Sequence, residues 1–218
     1  GYQAFMWKRH AGFDVVTYTG NGTAGRQVPH SLSKVPEMLW VKNREGSDDP
    51  WKVYHKGLDN GNNPEEHNIE LSGNYAEGDS TVFWNDTAPT ATHFTVGTSD
   101  AVNEGSKKMI AILFSSISGI SAVGSYTGTG VSGNTITGLG FAPRFVIIKN
   151  ASRSSTSWVV LDTLRGWGSG DDKSLELNDD NAQETYNYGA PTSTGFTLEE
   201  TGIWTNYAND VYIYYAHS

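Results

Sequence analysis

Short runs of β-branched and aromatic residues recur along the chain, each closed by Gly, Asn, Asp or Pro. They are Val15–Thr19, Met38–Lys42, Trp51–Tyr54, Phe94–Gly97, Arg144–Lys149 and Val211–Tyr215. Nowhere does a window of about eleven residues repeat its apolar positions at intervals of three and four, the spacing of an amphipathic helix. Strand-length runs between turn formers predict an all-β sandwich or barrel. Leu39–Val41 and Phe145–Ile148 are apolar without a break, so those strands are expected at the centre of a sheet, covered on both faces.

The pattern repeats. Tyr18-Thr19-Gly20-Asn21-Gly22 returns 108 residues on as Tyr126-Thr127-Gly128-Thr129-Gly130. Pro36, Lys42-Asn43 and Trp51 return after 107 residues as Pro143, Lys149-Asn150 and Trp158. Leu71 and Ala76 return after 106 as Leu177 and Ala182, and Ala88-Pro89-Thr90 with Phe94-Thr95 after 102 as Ala190-Pro191-Thr192 with Phe196-Thr197. Preserved order with a slow drift marks a duplication that has lost a few loop residues. The chain divides into a lead-in at 1–12, repeat 1 at 13–116, a joint at 117–120 and repeat 2 at 121–218. Each repeat has the size of a small antiparallel sandwich, about 100 residues. The expected fold is all-β, two tandem antiparallel, jelly-roll-like sandwiches, each led by an edge-like YTGxG strand. Trp51 should match Trp158, and Pro36 Pro143, with both indoles largely buried.

Composition narrows the partners. The 24 acidic and 15 basic residues leave a net charge of −9, and no basic cluster exists to displace counterions from phosphates, so nucleic acid is not expected. Aromatics reach 12% and charged residues only 18%, the reverse of a disordered chain. Absence of Cys removes disulfides, thiolate metal sites and thiol nucleophiles. The longest apolar run, Met109–Phe114, is far short of the roughly 20 residues of a spanning helix. No charged-then-apolar leader precedes it, and membrane insertion is not expected. Opening on Gly1 rather than Met fits a processed or excised piece of a longer protein.

A family resemblance rides on the same residues. Phe13–Gly22, Val35-Pro36-Glu37-Met38, Val41-Lys42-Asn43 and Trp51–His55 resemble a recurring phage domain of unknown function. Trp7-Lys8-Arg9, Phe83-Trp84-Asn85, Phe94–Gly97 and Gly124–Gly128 are similar too. The resemblance runs from about Met6 to the end and departs at Val211–Ala216, which is richer in tyrosine. Such domains occur in tandem in structural and tail-fibre-type proteins of tailed phages, many from marine and cyanobacterial hosts, and carry no motif with an assigned chemical role. The resemblance therefore implies a virion structural protein on the particle surface, with other virion proteins as partners.

Catalytic chemistry finds little to build on. His10, His30, His55, His67, His93 and His217 stand in neither a Gly-x-Ser-x-Gly elbow nor a His-Glu-x-x-His pair, and surface or turn positions are expected for them. A polysaccharide hydrolase needs two carboxylates across a cleft. The candidates are Glu65, Glu66, Glu70, Asp162, Glu176, Glu199 and Glu200, of which the adjacent Glu199-Glu200 would diverge on a strand. Asp171-Asp172 and Asn178-Asp179-Asp180-Asn181 are oxygen-rich but lack the ligand alternation of a calcium loop and read as turns. No catalytic residue, metal or cofactor is expected. The Asn-x-Ser/Thr triplets at Asn21, Asn85 and Asn150 carry no meaning in a bacterial virus.

Aromatics offer more. Sugars present flat C–H faces that stack on Trp and Tyr rings while amides bind the hydroxyls. Aromatics matched between repeats belong to the core. Those mixed with amides in loop-like stretches are the binding candidates, for glycan or subunit contact: Tyr75, Trp84, Trp167, Tyr186, Tyr188, Trp204 and Tyr207. The expected function is a non-enzymatic virion component of tail-fibre or appendage type touching host cell-surface glycan. The alternatives are a carbohydrate-binding module or lectin outside a virion, and a polysaccharide-degrading enzyme. A homo-oligomer is expected, trimeric in a fibre, with contacts from Trp167, Tyr186, Tyr188, Trp204 and Tyr207.

Overall fold

A computed structural model describes residues 6–9, 11–46 and 48–218, so His10 lies outside the described residues. Repeat 1 contains β1 (Phe13–Thr19), β2 (Arg26–Pro29), β3 (Met38–Asn43), β4 (Lys52–His55), β5 (His67–Glu70), β6 (Gly78–Asp79), β7 (His93–Val96) and β8 (Lys108–Phe114). Repeat 2 contains β9 (Ser121–Thr127), β10 (Asn134–Ile136), β11 (Phe145–Asn150), β12 (Val159–Asp162), β13 (Asp172–Glu176), β14 (Glu184–Tyr186), β15 (Gly189–Thr192), β16 (Gly195–Leu198) and β17 (Val211–His217).

The two large sheets run β1-β8-β3-β4-β5-β6 and β9-β17-β11-β12-β13-β14, the same order strand for strand. A small sheet, β2-β7, is matched by β10-β16, to which repeat 2 adds β15. Registers match as well. Met38 faces His55 as Phe145 faces Asp162, and Phe13 faces Phe114 as Ser121 faces His217. Pro36 and Pro143 each stand two residues before their central strand. The duplication is thus written in the pairing itself.

Each repeat is a sandwich of one large and one small sheet, and the two sandwiches stack through their large sheets. Strand alternation decides this. On β3, Leu39 and Val41 join Phe94 and Val96 in the core of repeat 1, while Met38 and Trp40 face the other way. On β17, Tyr212, Tyr214 and Ala216 serve the core of repeat 2, while Ile213 and Tyr215 face repeat 1. The outward sets meet in a shared core that joins Met38, Trp40 and Phe114 to Ile147, Trp158 and Tyr215. There the Phe114 and Tyr215 rings lie 4.8 Å apart. The order of layers is small, large, large, small. β3 and β11 are central and covered on both faces, and β1 and β9 are edges, as the hydrophobic pattern predicts.

Polar groups stitch the same junction. The Trp158 indole N–H donates to the Glu70 carbonyl at 2.7 Å. His55 is fully buried, not at the surface or in a turn. Its Nε2 lies 3.2 Å from the Tyr214 carbonyl, and its Nδ1 accepts the Gly57 N–H at 3.0 Å. Burial lowers this imidazole to about 4 against the opposing hydrogen bond to the Tyr214 carbonyl, with Lys56 and Glu37 acting in opposite senses. The two matched indoles differ: Trp158 is buried, Trp51 only half-buried. Loop 72–77 of repeat 1 covers the end of β11 near Trp158, the Glu77 N–H donating to the Ala151 carbonyl at 2.8 Å and the Ala76 N–H to Ser154 Oγ at 3.1 Å. Its counterpart in repeat 2, residues 179–183, is itself exposed.

The YTGxG motif is a clasp. The Tyr18 hydroxyl donates to the Val102 carbonyl and the Tyr126 hydroxyl to the Thr205 carbonyl, each at 2.6 Å. A buried amide follows in both: Asn103 Oδ1 accepts the Asn21 N–H at 3.0 Å, and Asn206 Oδ1 the Thr129 N–H at 2.9 Å. A Cβ on Gly20 or Gly128 would run into the Glu104 or Tyr207 carbonyl oxygen. Gly22 and Gly130 hold positive φ, 67° and 68°, which only glycine adopts at little cost. The motif therefore pins each edge strand to the segment before the last strand of its repeat. Among the described residues no helix is long and apolar enough to cross a membrane.

Candidate functional site

Repeat 2 departs from repeat 1 between β13 and β17, and a cleft opens there. The buried Asp172 organises one wall. Its Oδ1 accepts the Gly168 N–H at 2.7 Å, and its Oδ2 accepts the N–H groups of Tyr188 and Gly189 at 2.8 and 3.0 Å. Gly189, at φ 128°, lies so close to β16 that a Cβ would strike the Thr197 carbonyl. The chain leaving β14 is thereby pressed onto the sandwich. Tyr188 turns inward and is buried, whereas Tyr186 stays 54% exposed. Their rings lie 5.5 Å apart at 61°.

Glu200 organises a second segment that lines the cleft. Its carboxylate is buried and accepts the Gly202 N–H, the Thr205 N–H at 3.0 Å and the Thr205 hydroxyl at 2.8 Å. The turn this folds presents Ile203 and the half-buried Trp204, which also packs on the core of repeat 2. The cavity between Glu184, Tyr186, Tyr188, Glu200, Ile203 and Trp204 measures about 330 Å³, at the lower end of the range for small-ligand sites.

Charge in the cleft is of one sign. Glu184 and Glu200 line it and no Lys or Arg does. Burial first, then the fields of Glu184, Glu200 and Glu176, push the Tyr188 phenol upward, so it remains a neutral hydroxyl. Glu200 is committed to its turn, leaving Glu184 as the exposed acid of the site. Repeat 1 differs at the matching positions. Ala101, buried at 4%, stands where repeat 2 has Trp204, and the two-residue β6 stands where repeat 2 has β14.

The structure therefore brings Tyr186, Tyr188 and Trp204 together and scatters the other candidates. Trp84 ends a short helix, α1 (Thr81–Trp84). It is 2% exposed and its indole N–H donates to the His67 carbonyl at 3.0 Å. Trp167 is buried against Phe196, ring to ring at 6.1 Å. Both are core side chains, because each fills the space between a large and a small sheet, and neither leaves its ring exposed within the chain. Tyr188 is likewise buried in the core of repeat 2, though it also lines the cleft. Tyr75 is exposed in a separate groove of about 470 Å³ with Asp49, Glu70, Asn74, Asn178 and Asp179. Tyr207 is exposed, off the cleft, with the Arg153 guanidinium 4.5 Å above its ring. Sequence reasoning missed Glu184 and Ile203. The signal for Glu184 was the period of two that sets it on the face of Tyr186.

Four of the remaining candidate carboxylates have side-chain partners. Glu70 pairs with Lys52 at 2.6 Å and Asp162 with Arg165 at 2.5 Å. Glu176 accepts from Asn181 at 2.9 Å, and Glu199 accepts from the Ser132 hydroxyl. Glu65 and Glu66 sit in the turn Pro64–Glu66. Among the described residues no three His, Asp or Glu side chains are grouped to hold a metal ion.

The family described as domain of unknown function (DUF7483) matches residues 6–218. No curated protein and no solved structure matches the chain.

Proposed function

The chain belongs to the DUF7483 family of unknown function, and we propose that it is a non-enzymatic structural domain of a tailed-phage particle, of tail-fibre or appendage type, whose second repeat presents an aromatic cleft to host-surface glycan. The observation that carries the glycan contact is the exposed Tyr186 ring lining the same cleft as Trp204, on a frame otherwise matched between repeats. The absence of catalysis is supported by Glu200, whose carboxylate is held by the turn it folds. The place on a particle rests on the resemblance of Phe13–Gly22 and its companion motifs to tandem phage domains. Assembly into a homo-oligomer, a trimer in a fibre, belongs to the same reading, with Tyr207 and Val131 left exposed on the outside.

A glycan array with the whole chain tests the contact. Saturable binding is expected, weakened about tenfold by Tyr186→Ala, the loss of one stacked ring. No binding, or binding indifferent to that change, overturns it. Mass spectrometry and immunogold labelling of purified particles test the location: binding by a chain absent from particles would favour a free lectin. Sedimentation at tens of micromolar tests the oligomer, which a clean monomer would refute.

A further inference from the structure

The cleft has a charge as well as a shape, and its sign has consequences for any sugar that enters. Glu184 and Glu200 border it, Glu176 acts on the same Tyr188 hydroxyl, and no cation lines it. The ring faces of Tyr186 and Trp204 favour a cation over an anion, because the aromatic face is the negative part of its quadrupole. Both effects act in the same direction. At about 330 Å³ the space suits one terminal sugar residue rather than a threaded polymer, so the charge on that single residue decides the match.

Resting on the glycan reading of this cleft, we infer that it ranks its ligands by charge: an amino sugar with a free amine first, a neutral sugar second, a uronic or sialic acid last. The ammonium of an amino sugar meets Glu184 at the exposed rim and a ring face inside. A uronate meets the same carboxylate with like charge and finds no Arg or Lys to receive it. Glu200 contributes its field without being displaced, since its oxygens stay with Thr205 and Gly202. The acidic balance of the whole chain, −9, adds to the repulsion of a polyanion at low salt.

The test is titration of the whole chain with three trisaccharides of equal length: glucosamine, N-acetylglucosamine and galacturonate. The expected order is amine, neutral, acid. The gap between the first two should be about fivefold at low salt, the scale of one partly exposed charge pair, and should shrink as salt is raised. Glu184→Gln should bring the amine ligand down to the neutral one, while Glu65→Gln, in repeat 1, leaves the order intact. Equal affinities, a preference for galacturonate, or an amine preference untouched by Glu184→Gln would overturn the ranking while the glycan reading stood. Failure of all three sugars to bind would remove the glycan reading and the ranking with it.

Discussion

Cutting the chain at its joint separates two accounts of the fold. If the repeats were independent domains, residues 13–116 and 121–218 would each fold alone. The shared core predicts otherwise. Met38, Trp40, Val53, Leu58, Ile69 and Phe114 are buried in it from repeat 1, and Val123, Ile147, Ala151, Trp158, Val160, Ile213 and Tyr215 from repeat 2. Burying one large apolar side chain contributes about 1.5–3 kcal/mol. Even if the six from repeat 1 were only half uncovered, the loss would be roughly 4–9 kcal/mol, most of the 5–15 kcal/mol by which a whole domain is stable. Separation also leaves the Trp158 indole without the Glu70 carbonyl and His55 without the Tyr214 carbonyl. Each half expressed alone should therefore lack near-UV circular dichroism and a cooperative urea transition. Mixing the halves should restore both, with a one-to-one complex on size exclusion. A half that unfolds cooperatively by itself, with a denaturant slope in proportion to its size, would refute the shared core as the source of stability.

Other expectations follow from single residues. Gly20→Ala and Gly128→Ala, whose Cβ would meet a backbone carbonyl, should each cost about 3 kcal/mol or more in urea unfolding. Gly78→Ala, with open space around it, should lie within about 0.5 kcal/mol of the parent. Asn103→Ala strands the Asn21 N–H and the Thr23 and Gly97 carbonyls and should cost about 1–3 kcal/mol. His55 has a folded value of about 4 against an ordinary 6.5, so the folded state binds fewer protons between them. Stability is then full above about pH 6.5 and falls by about 3 kcal/mol as pH drops toward 4, a slope that His55→Gln should flatten. The buried Lys149 ammonium, held by the Asn150 carbonyl and the Thr156 hydroxyl at 2.8 Å each, is lowered by burial to about 7. Its folded value also lies below its ordinary 10.5, so stability should rise with pH from about 7 to 10.5, and Lys149→Met should stabilise most below pH 7.

Much of the frame was legible because its constraints are local and repeated. Unbroken apolar runs placed β3 and β11 at sheet centres, and YTGxG placed β1 and β9 at edges. The 107-residue spacing from Met38 to Phe145 foretold a register that the structure keeps. What composition could not say is where each apolar face goes. A strand covered on both faces looks the same whether its second cover is a small sheet or the other repeat, so the stacking of the two sandwiches was hidden. Trp84 and Trp167 were misplaced for a related reason. An aromatic next to Asn or Gly looks like a loop residue, yet each of these carries its ring into a core while its backbone turns.

The cleft was only half legible, and the reason bears on where function sits in a duplicated fold. Matched residues are held to their places by both copies' packing: Tyr18 and Tyr126, Asn103 and Asn206, Asn43 and Asn150 spend their polar groups on the frame. A binding surface needs residues freed from that duty. Freedom arises where one copy has changed, as between Asp172 and Trp204, where β14 is longer than β6 and β15 has no counterpart strand among the described residues of repeat 1. Failure to match between repeats picked out Tyr186, Tyr188 and Trp204 for that reason. It could not supply Glu184, because a carboxylate on an exposed strand is unremarkable until the fold sets two rings beside it. The acid is nonetheless what would give the cleft the charge preference proposed for it. On the proposed reading, exchanging Glu184 should alter which sugar is favoured, whereas exchanging Tyr186 should alter whether any is held.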